Sequence, residues 1–236
     1  MRDLLTRGLA ELGLTPPEGA VEKLARYGEI LLEQNKVMNL TAIRDPEGVA
    51  RLHFLDSAAL LLAGDLAGRS LLDVGAGAGF PGFPVKLLSP TTRLTALDSL
   101  KKRMDFLAAA AAELEVTGAE FLHARAEEQA MLPGSRDSFD VVTARAVAAL
   151  PVLAELCLPF VKVGGAFLCM KSVSSDQELE EAAGAIRRLG GKVTDKLDYP
   201  IPGTDITHRI IRVEKTAPTP KGYPRRFAKI AKAPLR

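Results

Sequence analysis

Glycines stand at positions 75, 77, 79 and 82, directly after the apolar residues Leu71, Leu72 and Val74, in the stretch SLLDVGAGAGFPG from Ser70 to Gly82. Glycine lets a backbone turn tightly at positive φ and approach a ligand with no Cβ in the way. A helix opening after such a loop points free N–H groups into the space above the strand. The chemistry this pattern supports is nucleotide binding. Gly77-x-Gly79-x-x-Gly82 satisfies the dinucleotide fingerprint, a weak signal when it stands alone. Asp73, two residues before the first glycine, discriminates between ligands. A pyrophosphate would meet it as a like charge, whereas S-adenosylmethionine brings an ammonium and a sulfonium that a carboxylate attracts. Asp73-x-Gly75-x-Gly77-x-Gly79 therefore fits a methyl donor better than NAD. Pro81 and Pro84 also cut into the stretch where a dinucleotide fold runs its helix.

Three further sites follow the same logic. Asp98 closes an apolar run, where an acid accepts hydrogen bonds from ribose hydroxyls; the alternative is a cap for the helix beginning near Lys101. An NAD enzyme would use the same acid, so Asp98 does not choose the ligand. Ala126-Glu127 follows the next run, where backbone N–H groups can read an adenine edge; a solvated helix start is the other reading. Thr143-Ala144-Arg145-Ala146 closes the fourth run, where a methyl group and its acceptor would meet. No Asp/Asn-Pro-Pro-aromatic motif for exocyclic amines occurs, and Cys157 and Cys169 lie inside apolar stretches unsuited to a pyrimidine-C5 nucleophile. Arg145 offers a planar five-donor fork for phosphate, carboxylate or a guanine edge, or else a structural ion pair. An acceptor that is already nucleophilic fits this set. Guanine N7 carries an in-plane lone pair and no proton, so catalysis is mainly alignment and no general base is expected.

The elements that position these residues can be read in order. Residues 2–13 and 18–36 read as amphipathic helices, and Pro46 opens a third that carries His53 and Asp56 on one face. Strand patterns at 70–74, 93–98, 118–123, 139–144, 165–171, 192–199 and 207–214 alternate with helical ones near 82–89, 101–115, 147–161 and 175–189. This predicts a parallel α/β sheet covered on both faces. The short link Pro200-Ile201-Pro202-Gly203 forces the seventh strand to return antiparallel. That is the class I S-adenosylmethionine-dependent methyltransferase sheet, Rossmann-like, with an N-terminal helical lead-in. Three segments follow: helical residues 1–65, a methyltransferase domain over 66–214, and a basic proline-containing tail over 215–236.

Composition sets the outer bounds. With 47% apolar and 25% charged residues, the chain has a globular composition. No apolar run spans a bilayer and no signal-peptide core opens it, so a cytoplasmic protein without membrane contact is expected. The cysteines and the three scattered histidines form no ligand set, so no metal is expected. A monomer is favoured. From Lys215 onward there are seven basic residues and no acidic ones, leaving 24 basic residues against 29 acidic in the body. A basic tail on an acidic body points to nucleic acid. Lys221, Arg225, Arg226 and Lys229, with Tyr223 and Phe227 between, could neutralise phosphates and stack bases; alternatively the prolines hold an arm against the body. Lys171, ending the fifth strand, is a further phosphate candidate.

These motifs together resemble one family. NLTAIRD (39–45), HFLDS (53–57), LLDVGAGAGFPGFP (71–84), LDSLKKR (97–103), TARAV (143–147), Met170-Lys171 and the ending YPRR…PL resemble the RsmG (GidB) family of bacterial 16S rRNA guanine-N7 methyltransferases, from Leu31 onward. The resemblance implies S-adenosylmethionine as donor and a guanine in the decoding-region loop of 16S rRNA, free or in the 30S particle, as acceptor. Carried onto this chain, it places donor contacts at Gly75, Phe80, the Ala126-Glu127 backbone and Arg145, with Asp98 at the ribose. The tail departs from the pattern, with Phe227-Ala228-Lys229-Ile230 where many members carry Gly-x-Pro. Two alternatives stay open: an RNA-binding assembly factor that keeps the fold, and an NAD-dependent dehydrogenase.

Overall fold

Leu71, Leu72 and Val74 form the first strand in the computed structural model, which describes residues 1–235. Strand β1 (Ser70–Val74) is buried because its successive side chains enter two different cores: Leu71 one, Leu72 and Val74 the other. The pattern repeats in β4 (Phe139–Arg145), where Val141 parts from Val142, and in β5 (Val161–Ser172), where Leu168 parts from Phe167 and Cys169. Strands buried on both faces read as continuous apolar runs, which is why they stand out in the sequence.

With β2 (Arg93–Asp98), β3 (Ala119–His123), β6 (Gly191–Pro200) and β7 (Thr207–Lys215), the sheet runs in the order β3-β2-β1-β4-β5-β7-β6. The pairs from β3 through β5 are parallel, and β7 is antiparallel to both β5 and β6. Six strands therefore run one way and the seventh returns, as the short link requires. A dinucleotide fold orders its strands 3-2-1-4-5-6. Inserting a reversed β7 between β5 and β6 gives the methyltransferase arrangement instead.

One face of the sheet is covered by α1 (Arg2–Glu11), α2 (Ala20–Met38) and a composite helical stretch. That stretch runs as α3 (Pro46–Gly48), a π-helix over Val49–Leu55, α4 (Asp56–Ala58) and a 3-10 helix over Ala59–Ala63. The same face carries α5 (Gly82–Leu88) and α6 (Lys101–Glu113). The other holds α7 (Ala126–Gln129), α8 (Leu150–Cys157), α9 (Asp176–Arg188) and α10 (Phe227–Lys232). Leu24, Tyr27 and Leu31 recur at helical spacing along α2 and are fully buried. Tyr27 needs a partner for its hydroxyl there, and it donates to the Ala78 carbonyl at 2.5 Å. The lead-in thereby grips the glycine loop.

The structure departs from the sequence expectation in three places and chooses between two readings in a fourth. The third helix starts where Asp45 Oδ1 accepts from Gly48 N at 2.7 Å, but it widens into a π turn rather than continuing as α-helix. The helix expected over 147–161 begins at Leu150, because Ala146 takes a left-handed φ of 56° and Pro151 favours a helix's first turn. Helices α7 and α10 are too short to carry a periodic signal. Of the two readings of the tail, the arm held against the body is the one seen: Arg136 donates to the carbonyls of Tyr223 and Thr219, both at 2.7 Å, and Ile230 and Leu235 enter the second core. No helix among the described residues is long and apolar enough to cross a membrane.

Candidate active site

At the carboxyl ends of β1, β2 and β4 lies a cavity of about 360 Å³, walled by Gly75, Asp98, Ala126, Glu127, Val147 and Phe227 among others. The glycine loop shapes its floor. Gly75 has a φ of 72°, and a Cβ placed there would lie 2.7 Å from Val147 Cγ2, so only glycine fits. The N–H groups of Gly75 and Ala76 both donate to Leu97 O, at 2.8 and 3.0 Å, joining the loop to β2. Asp98 ties the two together from the other side. Its Oδ2 accepts from Gly77 N at 3.0 Å and from Arg103 Nη1 at 3.1 Å, and its Oδ1 from Leu100 N at 2.9 Å. A carboxylate has about four acceptor positions, so one remains for a ligand hydroxyl.

Asp73 lies beneath the loop. It is fully buried, and its Oδ2 accepts from Gly82 N at 2.8 Å. A Cβ on Gly82 would lie 2.9 Å from that same oxygen, so the glycine is what allows the helix end to reach the acid. Oδ1 has no hydrogen-bond partner. Burial pushes the Asp73 carboxyl up to about 7, against the opposing pull of the Gly82 amide and the Arg145 charge. A half-satisfied buried acid is costly, and it favours positive charge nearby.

Beside the loop, Arg145 at the end of β4 pairs with Asp56, and the pair draws in His53, Phe80, Tyr199 and His208. Its Nη1 donates to Asp56 Oδ2 at 2.5 Å and to Leu52 O at 3.1 Å, and its Nη2 meets His53 Nδ1 at 3.2 Å. Asp56 Oδ1 accepts from Tyr199 OH at 2.7 Å and meets His208 Nδ1 at 2.8 Å. The His53 ring stacks on Phe80 with centroids 4.3 Å apart, and the Arg145 guanidinium lies 5.2 Å from the Phe80 centroid. Burial, then the Arg145 charge, lowers the His53 pKa to about 4, so the ring is neutral at pH 7. Burial alone would raise Asp56, but His208, Arg145 and Tyr199 together outweigh it and hold the carboxyl below its usual range. The π turn is where the Leu52 carbonyl and the His53 and Asp56 side chains meet the arginine. Such turns recur at functional sites.

A model of the GidB family, described as rRNA small subunit methyltransferase G, matches residues 20–197. The chain belongs to this family. It is 42% identical over 237 aligned positions to the ribosomal RNA small subunit methyltransferase G of Alkaliphilus oremlandii, covering 100% of this chain and 99% of that one. The protein of the same name from Geobacillus thermodenitrificans is 47% identical over 228 positions, 96% of each. Among solved structures, the branched-chain polyamine synthase of Thermus thermophilus superposes with a TM-score of 0.59 at 18% identity, covering 83% of this chain and 65% of that one. The last likeness is one of fold.

Family membership and geometry together sort the residues singled out in the sequence. Gly75, Asp98, Ala126 and Glu127 line the cavity. Gly77 acts through its N–H on Asp98; Asp73 is buried beneath the loop, and Phe80 and Arg145 belong to the neighbouring His53–Asp56 cluster and do not line the cavity. Of the candidate phosphate contacts, Lys221, Arg226 and Lys229 are exposed. Lys171 is not free for that role: it pairs with Glu178 at 2.7 Å and donates to Ala148 O at 2.8 Å, holding the loop between β4 and α8. Arg225 corrects the expectation most sharply. It forks onto Glu155, which is fully buried, at 2.8 and 2.7 Å, so it anchors the tail and does not face solvent phosphates. Sequence reading missed three features. Glu155 sits alone in an apolar run, the signal of a buried pair. Val147 and Phe227 carry no comparable mark of a cavity wall. Two histidines far apart in the chain converge on the Asp56–Arg145 pair, His208 on the carboxylate and His53 on the guanidinium, and among the described residues no group of side chains is arranged to hold a metal. Both cysteines are buried, and burial pushes the Cys169 thiol up to about 12, which removes them as nucleophiles at neutral pH.

Proposed function

We propose that this protein is an S-adenosylmethionine-dependent methyltransferase acting on N7 of a guanine in the decoding-region loop of 16S rRNA. Membership of the rRNA small subunit methyltransferase G family is the observation that carries the reading. The residues present suit the donor on three counts. The cavity volume suits a nucleoside-sized ligand. Asp98 keeps an acceptor position for a ribose hydroxyl, and the unpartnered oxygen of Asp73 favours a cation above the loop. When bound, S-adenosylmethionine supplies an electrophilic methyl on a sulfonium.

The remaining tasks belong to the chain. Gly75 and Ala76 fix the floor, while Ala126 and Glu127 bound the far end. Arg145 spends three of its five N–H donors on Asp56, Leu52 and His53, which locks its plane and leaves donors suited to the O6 edge of a guanine. No residue has to remove a proton, because N7 carries none. His53, neutral and held between Arg145 and Thr41 Oγ1, serves as a support rather than a base. In this reading residues 66–214 carry the donor fold, residues 1–65 cap it, and residues 215–236 form an arm folded against it. Lys221, Arg226 and Lys229 present positive charge to the rRNA.

The test is transfer of labelled methyl from S-adenosylmethionine to unmodified 16S rRNA and to 30S particles, with the product located by mass spectrometry of digested RNA. We expect one 7-methylguanosine. Transfer to another atom, or tight RNA binding without transfer, would overturn the assignment, the latter in favour of an assembly factor.

A further inference from the structure

The tail brings an aromatic ring to the donor cavity. Phe227 opens α10 and lines the cavity together with Asp98, Ala126 and Leu156. It is 42% exposed, whereas Ile230 on the same short helix is fully buried, so the helix is seated with its aromatic residue left uncovered. Val147, 40% exposed, is a second large apolar side chain on the same wall. Two exposed apolar groups on one nucleoside-sized cavity form a surface that a planar ring would cover.

The ring is held in place. Two residues earlier, Arg225 grips Glu155 on α8, and its Nη2 also donates to Ala233 O at 3.0 Å, just past the end of α10. The residue after Glu155, Leu156, lines the cavity, so the anchor and the wall are built on the same turn of α8. Both α10 and α7 pack on α8, which puts Phe227 on the side of the cavity where Ala126 and Glu127 lie.

We propose that Phe227 is the apolar wall for the adenine half of the methyl donor, so that the arm over residues 215–235 completes the donor site. This rests on reading the cavity as the donor site. It reassigns Phe227 from stacking an RNA base, which the run of neighbouring cations suggests, to stacking or covering the purine of the small ligand. Arg226 and Lys229, exposed on either side of it, keep their charge for the RNA.

The experiment is calorimetric titration of the full chain and of Phe227→Ala, Phe227→Leu and Phe227→Tyr. The ligands are S-adenosylmethionine, S-adenosylhomocysteine and methylthioadenosine, which lacks the amino-acid end. Phe227→Ala is expected to weaken all three by a similar factor, about three- to tenfold, with Tyr close to the parent and Leu between. Melting of the unliganded variants should match the parent, because the ring is partly exposed without ligand. Unchanged affinity of Phe227→Ala for all three, or a loss seen only in rRNA affinity, would overturn the proposal alone. A parent protein that binds none of the three would remove the donor reading and the proposal with it.

Discussion

Replacing Asp73 with Asn should raise stability at alkaline pH while weakening donor binding. The carboxyl is fully buried, has one oxygen on Gly82 N at 2.8 Å, and leaves the other without a partner. Burial lifts it from 3.8 to about 7. The sign follows from linkage. Between those two values the unfolded chain has lost the proton while the folded chain keeps it, so the native protein loses stability as pH rises towards 7 and levels off above it. At about 1.4 kcal/mol per pH unit, the part of this penalty between pH 5 and pH 7 is about 3 kcal/mol. Asn can keep the bond to Gly82 through its carbonyl oxygen and has no charge to desolvate. The difference in unfolding free energy between Asp73→Asn and the parent should therefore shift by about 3 kcal/mol in the variant's favour from pH 5 to pH 8. Urea unfolding at several pH values measures it, and every other titrating group cancels in the difference. Donor affinity, measured in parallel, should fall most above pH 7, where the parent carboxyl has given up its proton and the variant carries no negative charge beneath the loop. A variant less stable than the parent by the same amount at both pH values would refute the reasoning. It would mean that Asp73 is a hydrogen-bonding strut with an ordinary carboxyl.

Four further outcomes are expected. Asp98→Asn should weaken S-adenosylmethionine binding by about 1–3 kcal/mol in calorimetry, since an amide cannot serve both its three protein donors and a ribose hydroxyl. Arg226→Ala and Lys229→Ala should each lower the salt slope of rRNA binding by about one, whereas Arg225→Met should cost about 3–5 kcal/mol of stability by leaving Glu155 buried and unpaired. Denaturant unfolding separates the two classes, and Glu155→Gln on the Arg225→Met background should recover part of the loss. His53, whose pKa falls from 6.5 to about 4, contributes stability that is full above pH 6.5 and is lost as pH falls towards 4. The acid limb of a pH–stability curve should accordingly flatten in His53→Gln.

The sheet was legible in the sequence because its strands enter cores on both faces. Runs such as Leu71–Val74 and Val141–Ala144 carry their own boundaries in the glycines, prolines and polar residues that follow. Even the reversal of β7 could be read, from a link too short to cross the sheet. The cavity was half legible. Glycine spacing and two strand-end acids mark its floor, but Val147 is an ordinary apolar residue until the chain is folded, and Phe227, set among cations, points in the sequence to RNA and not to the cavity. The π turn was hidden too, because local periodicity cannot show that the Leu52 carbonyl will be claimed by an arginine ninety residues on. Charge misled in the tail. A lysine or arginine in a basic run looks solvated whether or not a buried acid awaits it, and Lys215 and Arg225 are both committed inside the fold.

Asp56 decides what can be cut away. One carboxylate receives Arg145, His208 and Tyr199, three groups delivered by three different strands of the sheet. Excising residues 1–65 would not release a smaller working enzyme. It would strand a guanidinium and a phenol with no acceptor, and uncover the rings of Phe80 and Phe83 where Tyr27 and Phe54 now cover them. The helices ahead of the sheet are thus not an appendage that evolution or an engineer could exchange at will. A minimal module of this protein begins well before its first strand.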